Sequence, residues 1–437
     1  MSSRRSGQIL LAVLLGLCIA TAAAQVRYSD AELSERLPNY RDDLGVNYRE
    51  VMLPRITPRE RAALENARIQ FPLRMEGDGL FGYYSAYGTD GPKIVMPVSS
   101  LRFLSDLCVA TAWLWANGYS QSTLHDYLGM LKYRRPQDLG LIAMPQPLPA
   151  LGVPDNATDE PAVERVRSQC FSTAVVFVLA HEMGHLILGH RGYEGVTPEQ
   201  AQANEAAADD FALDLMSRLG DLPFGVLFFF TYAAYIEPHR GDFGGDDAWR
   251  THVAGKTHPL SAGRILALAD GIEQRAGRFA AGTMQARSLA ADLRVVGETL
   301  ADPDIQQLLR LQGQSVRPYM LASRKGDVWE VSPPPEPLPD GPFSGFFTGW
   351  MGSGPEDGIE VSLVLFRQGD RVHGRYSYAG IAGTVRGRVE NGVLDYEFVE
   401  PGSSGIGRLE MIGEGAISGR WRSRSGREGA LGAERGG

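Results

Sequence analysis

The stretch Val178-Leu179-Ala180-His181-Glu182-Met183-Gly184-His185 decides how this chain is read. His181 and His185 stand four residues apart, so on a helix they share one face and can bind one metal ion. Glu182 projects about 100° round the same turn. That places it beside the open position of such a site, where a carboxylate can take a proton from water. The apolar flanks, residues 175–179 and Leu186-Ile187-Leu188, predict a buried helix. Two histidines and a glutamate buried there need partners, and a metal supplies them. Zinc suits the task because it lowers the pKa of bound water toward roughly 7.

Working outward, Thr197-Pro198-Glu199-Gln200 opens a second helix with a cap residue and a first-turn proline. This helix carries Asn204-Glu205-Ala206-Ala207-Ala208-Asp209. Glu205 is the expected third ligand. Asp209 lies one turn on, on the same face, placed to accept a hydrogen bond from the far nitrogen of a ligating histidine. Asp210 is the alternative, rotated off that face. Three alanines let the second helix approach the first. Six of the eight histidines fall between His181 and His258. Of these, His190 reads as a helix-end residue favoured by the dipole, and His239 and His252 as solvated residues of a Gly/Asp-rich loop over 238–256.

With these motifs in place, the chain resembles the gluzincin zinc metallopeptidases. The His185-to-Glu205 separation is similar to that of thermolysin-type enzymes. Glu205-Ala206-Ala207-Ala208-Asp209 and Thr257-His258-Pro259-Leu260-Ser261-Ala262-Gly263-Arg264-Ile265 resemble the M48 (Ste24-like) peptidases over about residues 165–270. The resemblance implies that His258 and Arg264 bind the substrate carbonyl or its oxyanion, a role suited to donor or cationic groups. The stretch between the second histidine and Glu205 is much shorter than in many M48 enzymes, and their membrane-spanning helices have no counterpart here.

Residues 1–24 carry a positive start (Arg4, Arg5), an apolar run over 9–20 and Ala22-Ala23-Ala24, the pattern of a signal peptide cleaved after Ala24. The expected location is the periplasm or the exterior. Removing 1–24 leaves 413 residues and, with Arg4 and Arg5 gone, a net charge of −11. Cys108 and Cys170 then remain, and a disulfide between them or two separate buried thiols are equally open. Residues 25–56 are polar and read as an irregular arm or pro-segment. Thr57-Pro58-Arg59-Glu60 is a helix start, and residues 83–98 read as short strands and turns. Residues 101–115 form a buried helix, as does the region from about 162 to 190. The apolar run 224–236 is too short to span a bilayer; it reads as a core helix or a surface-docking segment, which leaves peripheral membrane contact open. Helix is expected over 262–300 and again around 305–311.

Pro333-Pro334-Pro335-Glu336-Pro337-Leu338-Pro339 is a semi-rigid linker between a peptidase domain over 57–330 and a second domain over 343–437. Beyond it, short alternating runs punctuated by glycine predict an antiparallel meander that closes or nearly closes. The expected fold is a mainly α, zincin-type metallopeptidase domain followed by a small all-β, barrel-like domain. That β domain reads as a packing module similar in style to small lipocalin-like barrels.

The composition is ordinary for a globular chain, with 43% hydrophobic and 22% charged residues. Its acidity argues against a general nucleic-acid binder, which needs a basic face. The expected function is exported zinc metalloendopeptidase, with one Zn²⁺ per chain on His181, His185 and Glu205. Glu182 activates the water, and His258 and Arg264 face the oxyanion of a peptide or protein substrate. The alternative is an exported binding or chaperone-like protein with a structural or vestigial zinc site, recognising its ligand through the β domain.

Overall fold

The computed structural model describes residues 26, 28–74, 80–89, 91–119, 121–190, 196–254, 260–316, 321, 341–356, 358–378, 381–400, 403–413, 415–424 and 426–435. The expected signal peptide, the proline-rich linker and His258 lie outside them. The helical part contains α1 (Asp30–Val46), α2 (Pro58–Ala63), β1 (Arg68–Gln70), β2 (Tyr84–Gly88), β3 (Gly91–Val95), α3 (Val98–Ala116), α4 (Ser122–Tyr133) and α5 (Pro147–Ala150). It continues with α6 (Pro161–Leu188), α7 (Pro198–Leu219), α8 (Phe224–Ile236), α9 (Asp246–Ala254), α10 (Ala262–Gln274), α11 (Thr283–Ala301) and α12 (Pro303–Ser315). Then come β4 (Gly345–Gly352), β5 (Ile359–Gln368), β6 (Arg371–Tyr378), β7 (Ile381–Glu390), β8 (Val393–Glu400), β9 (Ser403–Ile412), β10 (Ala416–Ser423) and β11 (Glu428–Arg435).

Local chemistry sets the helix ends. Thr57 caps α2 in a full capping box with Glu60, and the Thr197 hydroxyl accepts from the Gln200 N–H at the start of α7. Both α6 and α7 stop at a left-handed glycine, Gly189 (φ 75°) and Gly220 (φ 79°), where a side chain would be strained. By length and composition α6 could cross a membrane, but 67% of its apolar window is buried inside the fold. It is the central core helix, packed against α3, α7 and α8. At Gly225 of α8 a Cβ would stand 2.1 Å from the Cys170 carbonyl oxygen. Only a glycine admits this backbone approach. Cys108 of α3 and Cys170 of α6 are buried free thiols with their Sγ atoms 2.9 Å apart.

Three segments differ from expectation. Residues 25–56 are not irregular: α1 and a tight helical continuation through Arg55 bury Leu33, Tyr40, Leu44, Tyr48 and Met52 in the main core. Their polarity misled because α1 buries a narrow stripe and carries Pro38 in its interior. The helix expected over 262–300 is a hairpin of α10 and α11, broken around Gly282 (φ 100°). The supposed loop 238–256 contains a short 3₁₀ turn, Arg240–Asp242, and helix α9.

The small sheet has strand order β1-β3-β2, with β1 parallel and β2 antiparallel to β3. It packs on α6, and the Tyr87 hydroxyl of β2 donates to the Leu186 carbonyl at 2.8 Å. Strands β4 to β11 form a closed antiparallel barrel, sealed by pairing β11 with β4. Aromatic–glycine pairs across strands explain its glycine punctuation: Tyr376 faces Gly383, Tyr396 faces Gly407, Phe398 faces Gly405 and Trp421 faces Gly429. The barrel wall meets the helical part where β6 packs on α12 and Arg386 pairs with Asp302 at 2.6 Å.

Candidate metal centre

The site is built where α6 and α7 touch. His181, Glu182 and His185 lie in the last third of α6, and Glu205 and Asp209 lie one turn apart on α7; all five are buried. The helices come together at Gly184 and Ala208. A Cβ at Gly184 would stand 3.2 Å from Ala208 Cα and from its carbonyl oxygen. The alanine run anticipated this close approach. The glycine inside the histidine motif, which sequence reading passed over, is its other half.

His181 Nε2 and His185 Nε2 are 3.0 Å apart. Glu205 places Oε2 3.5 Å from the first and Oε1 3.3 Å from the second. These donor atoms lie within 4.8 Å of one another, on three buried side chains able to hold a metal ion. Four donors at about 2.0 Å around a tetrahedral ion are themselves spaced by about 3.3 Å, so the trio fits one metal without rearrangement. Two nitrogens and a carboxylate also suit zinc chemically.

A second layer fixes the first. Asp209 Oδ1 lies 2.8 Å from His181 Nδ1, on the side of the ring away from the metal position. Asp209 thus stands where an outer carboxylate was expected, while Asp210 turns outward to Arg275 at 2.6 Å. His185 Nδ1 faces His190 Nδ1 at 2.8 Å, so His190 also holds one ring of the trio in place. No sequence pattern marks His190 for this, because the chain must turn at Gly189 to bring it back.

Arg264 of α10 reaches into the same cluster. Its Nε and Nη2 donate to the two Asp209 oxygens at 2.7 and 2.9 Å, and Nη1 meets Glu205 Oε2 at 2.7 Å. The guanidinium sits 5.3 Å from the Phe230 ring centre, a cation–π stack. These contacts are with carboxylates of the site, whereas the resemblance pointed Arg264 at an oxyanion. His258 is outside the described residues. His239 is not solvated: its Nε2 lies 3.3 Å from Asp242 Oδ1 and 3.1 Å from the Tyr133 hydroxyl, where burial pushes its pKa down to about 4. His252 is half-buried against Phe243 and Trp249.

The electrostatics follow from crowding charges in a dry place. Burial opposes a charge on His181, but Asp209 and Glu205 outweigh it and push its pKa up to about 10. His185, buried beside the charged His181, is pushed down to about 4. Burial disfavours the Asp209 carboxylate, yet Arg264 and His181 hold it below the usual carboxylate range. Two carboxylates, two imidazoles and a guanidinium in mutual contact make this a strongly polarised cluster.

Comparison with known proteins adds one match. The family described as Peptidase U49 matches residues 142–284, about a third of the chain and the region holding the whole site. That match supports a peptidase and is not to the M48 family that the motifs resemble. No curated protein and no solved structure matches the chain.

Proposed function

We propose that this chain is an exported zinc-dependent metalloendopeptidase. The observation that carries the reading is the buried trio of His181 Nε2, His185 Nε2 and a Glu205 oxygen around one point, inside the peptidase-matching segment. These three side chains would hold the zinc, which supplies an acidified water and polarises the scissile carbonyl. The Glu182 carboxylate takes a proton from the attacking water and passes it to the leaving amine, as a general base and then a general acid. Asp209 keeps the His181 proton on Nδ1, so Nε2 offers its lone pair. Arg264 holds the second oxygen of Glu205 and neutralises Asp209, which makes it a positioning residue for the ligands. His258 remains the residue assigned to the oxyanion, by resemblance to the M48 pattern.

Export rests on the signal-like start. N-terminal sequencing of the exported protein should then read from Gln25.

The test of the catalytic reading pairs metal content with turnover. Wild-type mature protein should carry about one zinc per chain and cleave unfolded protein substrates. Glu182→Gln should keep the zinc and lose cleavage. Undiminished cleavage by that variant would overturn the mechanism.

A further inference from the structure

The barrel interior is filled at one end only. Phe343, Phe347, Leu365 and Val372 plug the end where the chain enters, all fully or nearly fully buried. At the other end, where β4–β5, β6–β7 and β10–β11 turn, a cavity of about 170 Å³ opens. Protein interiors pack as densely as organic crystals, so a void of this size needs a cause. The aromatic residues of the wall supply it. Alternate residues of β8, among them Leu394, Tyr396 and Phe398, point inward, and glycines of the neighbouring strands lie beneath the rings. No side chain could be added at Gly383, Gly405 or Gly407 without striking Tyr376, Phe398 or Tyr396. The rings pack on one another, Tyr376 on Phe398 at 6.4 Å and Phe398 on Trp421 at 6.1 Å, both edge to face. They therefore line the wall, and the lumen between them stays open.

The polar groups at this lumen are spent on one another. Glu400 accepts from the Tyr376 hydroxyl at 2.6 Å and from the Tyr378 hydroxyl at 3.0 Å, so both of its oxygens are engaged. The Trp421 ring nitrogen is buried and presents no donor to the lumen. Arg427 joins the lining from the exposed turn between β10 and β11. The rest is apolar, with Leu363, Val385, Leu409 and Leu431 between the rings. Met351 and Ile359 carry this lining to the mouth, where Ile359 is 48% exposed. An anion entering here would meet the Glu400 carboxylate. A cation would have to compete with two tyrosine hydroxyls for it, and either ion would lose its hydration. An uncharged molecule meets neither cost. An apolar cavity of about 150 Å³ accepts a benzene ring, which sets the scale of the occupant.

We propose that the open end of the barrel is a binding site for a small uncharged molecule built on one aromatic ring. The ring lies among Leu363, Val385, Leu409 and Leu431 and meets the Tyr376, Tyr396 and Phe398 rings, where aromatic pairs favour offset or edge contacts. Selection is by shape and by the exclusion of charge. This inference is independent of the metal centre and of the peptidase reading, since the cavity lies wholly within β4 to β11 and the turns that join them.

The full mature chain, with leucine and valine methyl groups labelled with ¹³C, would be titrated at neutral pH with toluene, benzylamine and benzoate. The Val385 and Leu431 methyl resonances are identified by their loss in Val385→Ile and Leu431→Ile. Toluene should shift both saturably, and benzylamine and benzoate should bind about tenfold or more weakly, the penalty for burying an unpaired charge. Leu431→Phe, which places a ring in the lumen, should abolish the toluene shift at Val385 without lowering the melting temperature. Arg427→Gln, at an exposed position, should leave toluene binding unchanged. The order of the three ligands in the wild-type protein decides the proposal whatever the fate of Leu431→Phe. No saturable shift with toluene would overturn it. So would tighter binding of benzylamine, which would make Glu400 the recognising group, or of benzoate, which would give that part to Arg427.

Discussion

Two of the buried places where polar atoms meet, the α6–α7 contact and the barrel interior, are built on opposite principles. At the α6–α7 contact the charged groups answer one another: His181 with Asp209, Asp209 with Arg264, Arg264 with Glu205. Only the space among the three donor atoms calls for something further. In the barrel the walls are apolar, and the Glu400 carboxylate is covered by the hydroxyls of Tyr376 and Tyr378. A cluster dense in ionisable groups selects a cation through electrostatics, because desolvated carboxylates need compensating charge. A sparse apolar slot whose few polar groups answer one another selects by shape.

If this contrast holds, changes at the metal centre alter binding and turnover by orders of magnitude, and changes in the barrel have modest effects. The largest loss is expected for Glu205→Ala, which should take zinc content from about one per chain to near zero by elemental mass spectrometry. Next, Glu182→Gln should lower kcat by about 10²–10⁴-fold with metal retained, the range for removing a general base. Asp209→Asn should weaken metal affinity by roughly 10–100-fold in competition with a chelator, as for other outer-layer partners.

A pH series sharpens the same point. Metal needs a neutral His181, whose pKa in the metal-free protein is pushed up to about 10. Protons compete below that value, so apparent affinity should fall by about tenfold for each pH unit of acidification from pH 9 to 7. In the metal-free protein the sign is opposite: the raised pKa stabilises the fold fully below the ordinary value of 6.5, and that contribution is lost as pH rises through about 10. Melting temperatures of chelator-treated protein should therefore decline over that window. The smallest effect is expected in the barrel, where Tyr378→Phe removes one hydrogen bond at a half-exposed hydroxyl and should cost about 1 kcal/mol by urea denaturation.

Sequence reading reached most of the helical elements because their signals are local. Thr57-Pro58-Arg59-Glu60 and Thr197-Pro198 each encode a cap within four residues, and both helices begin there. The strands β9 and β11 carry the weakest local signal. Their glycines and outward charges, as in Ser403-Ser404-Gly405-Ile406-Gly407-Arg408, lack the β-branched content that marks a strand, and their pairing with neighbours decides them instead. At the site, the helical periodicity of α6 and α7 was enough to group His181 with His185 and Glu205 with Asp209. The partners of Arg264 and His190 were not readable, because each arrives through a turn whose direction no short motif fixes.

Sequence alone settled which groups are available here: two histidines and a glutamate at metal-ligand spacing, a second glutamate beside them, and a capped start for the helix that carries Glu205. These are short-range facts, set by a period of 3.6 residues and by side-chain type. Tertiary structure decided the rest. It chose Asp209 and Arg264 as mutual partners across 55 residues, folded the polar segment 30–55 into the core, and closed the barrel by joining β4 to β11. Such contacts depend on how whole elements pack, and packing is settled only when every element has found its neighbours.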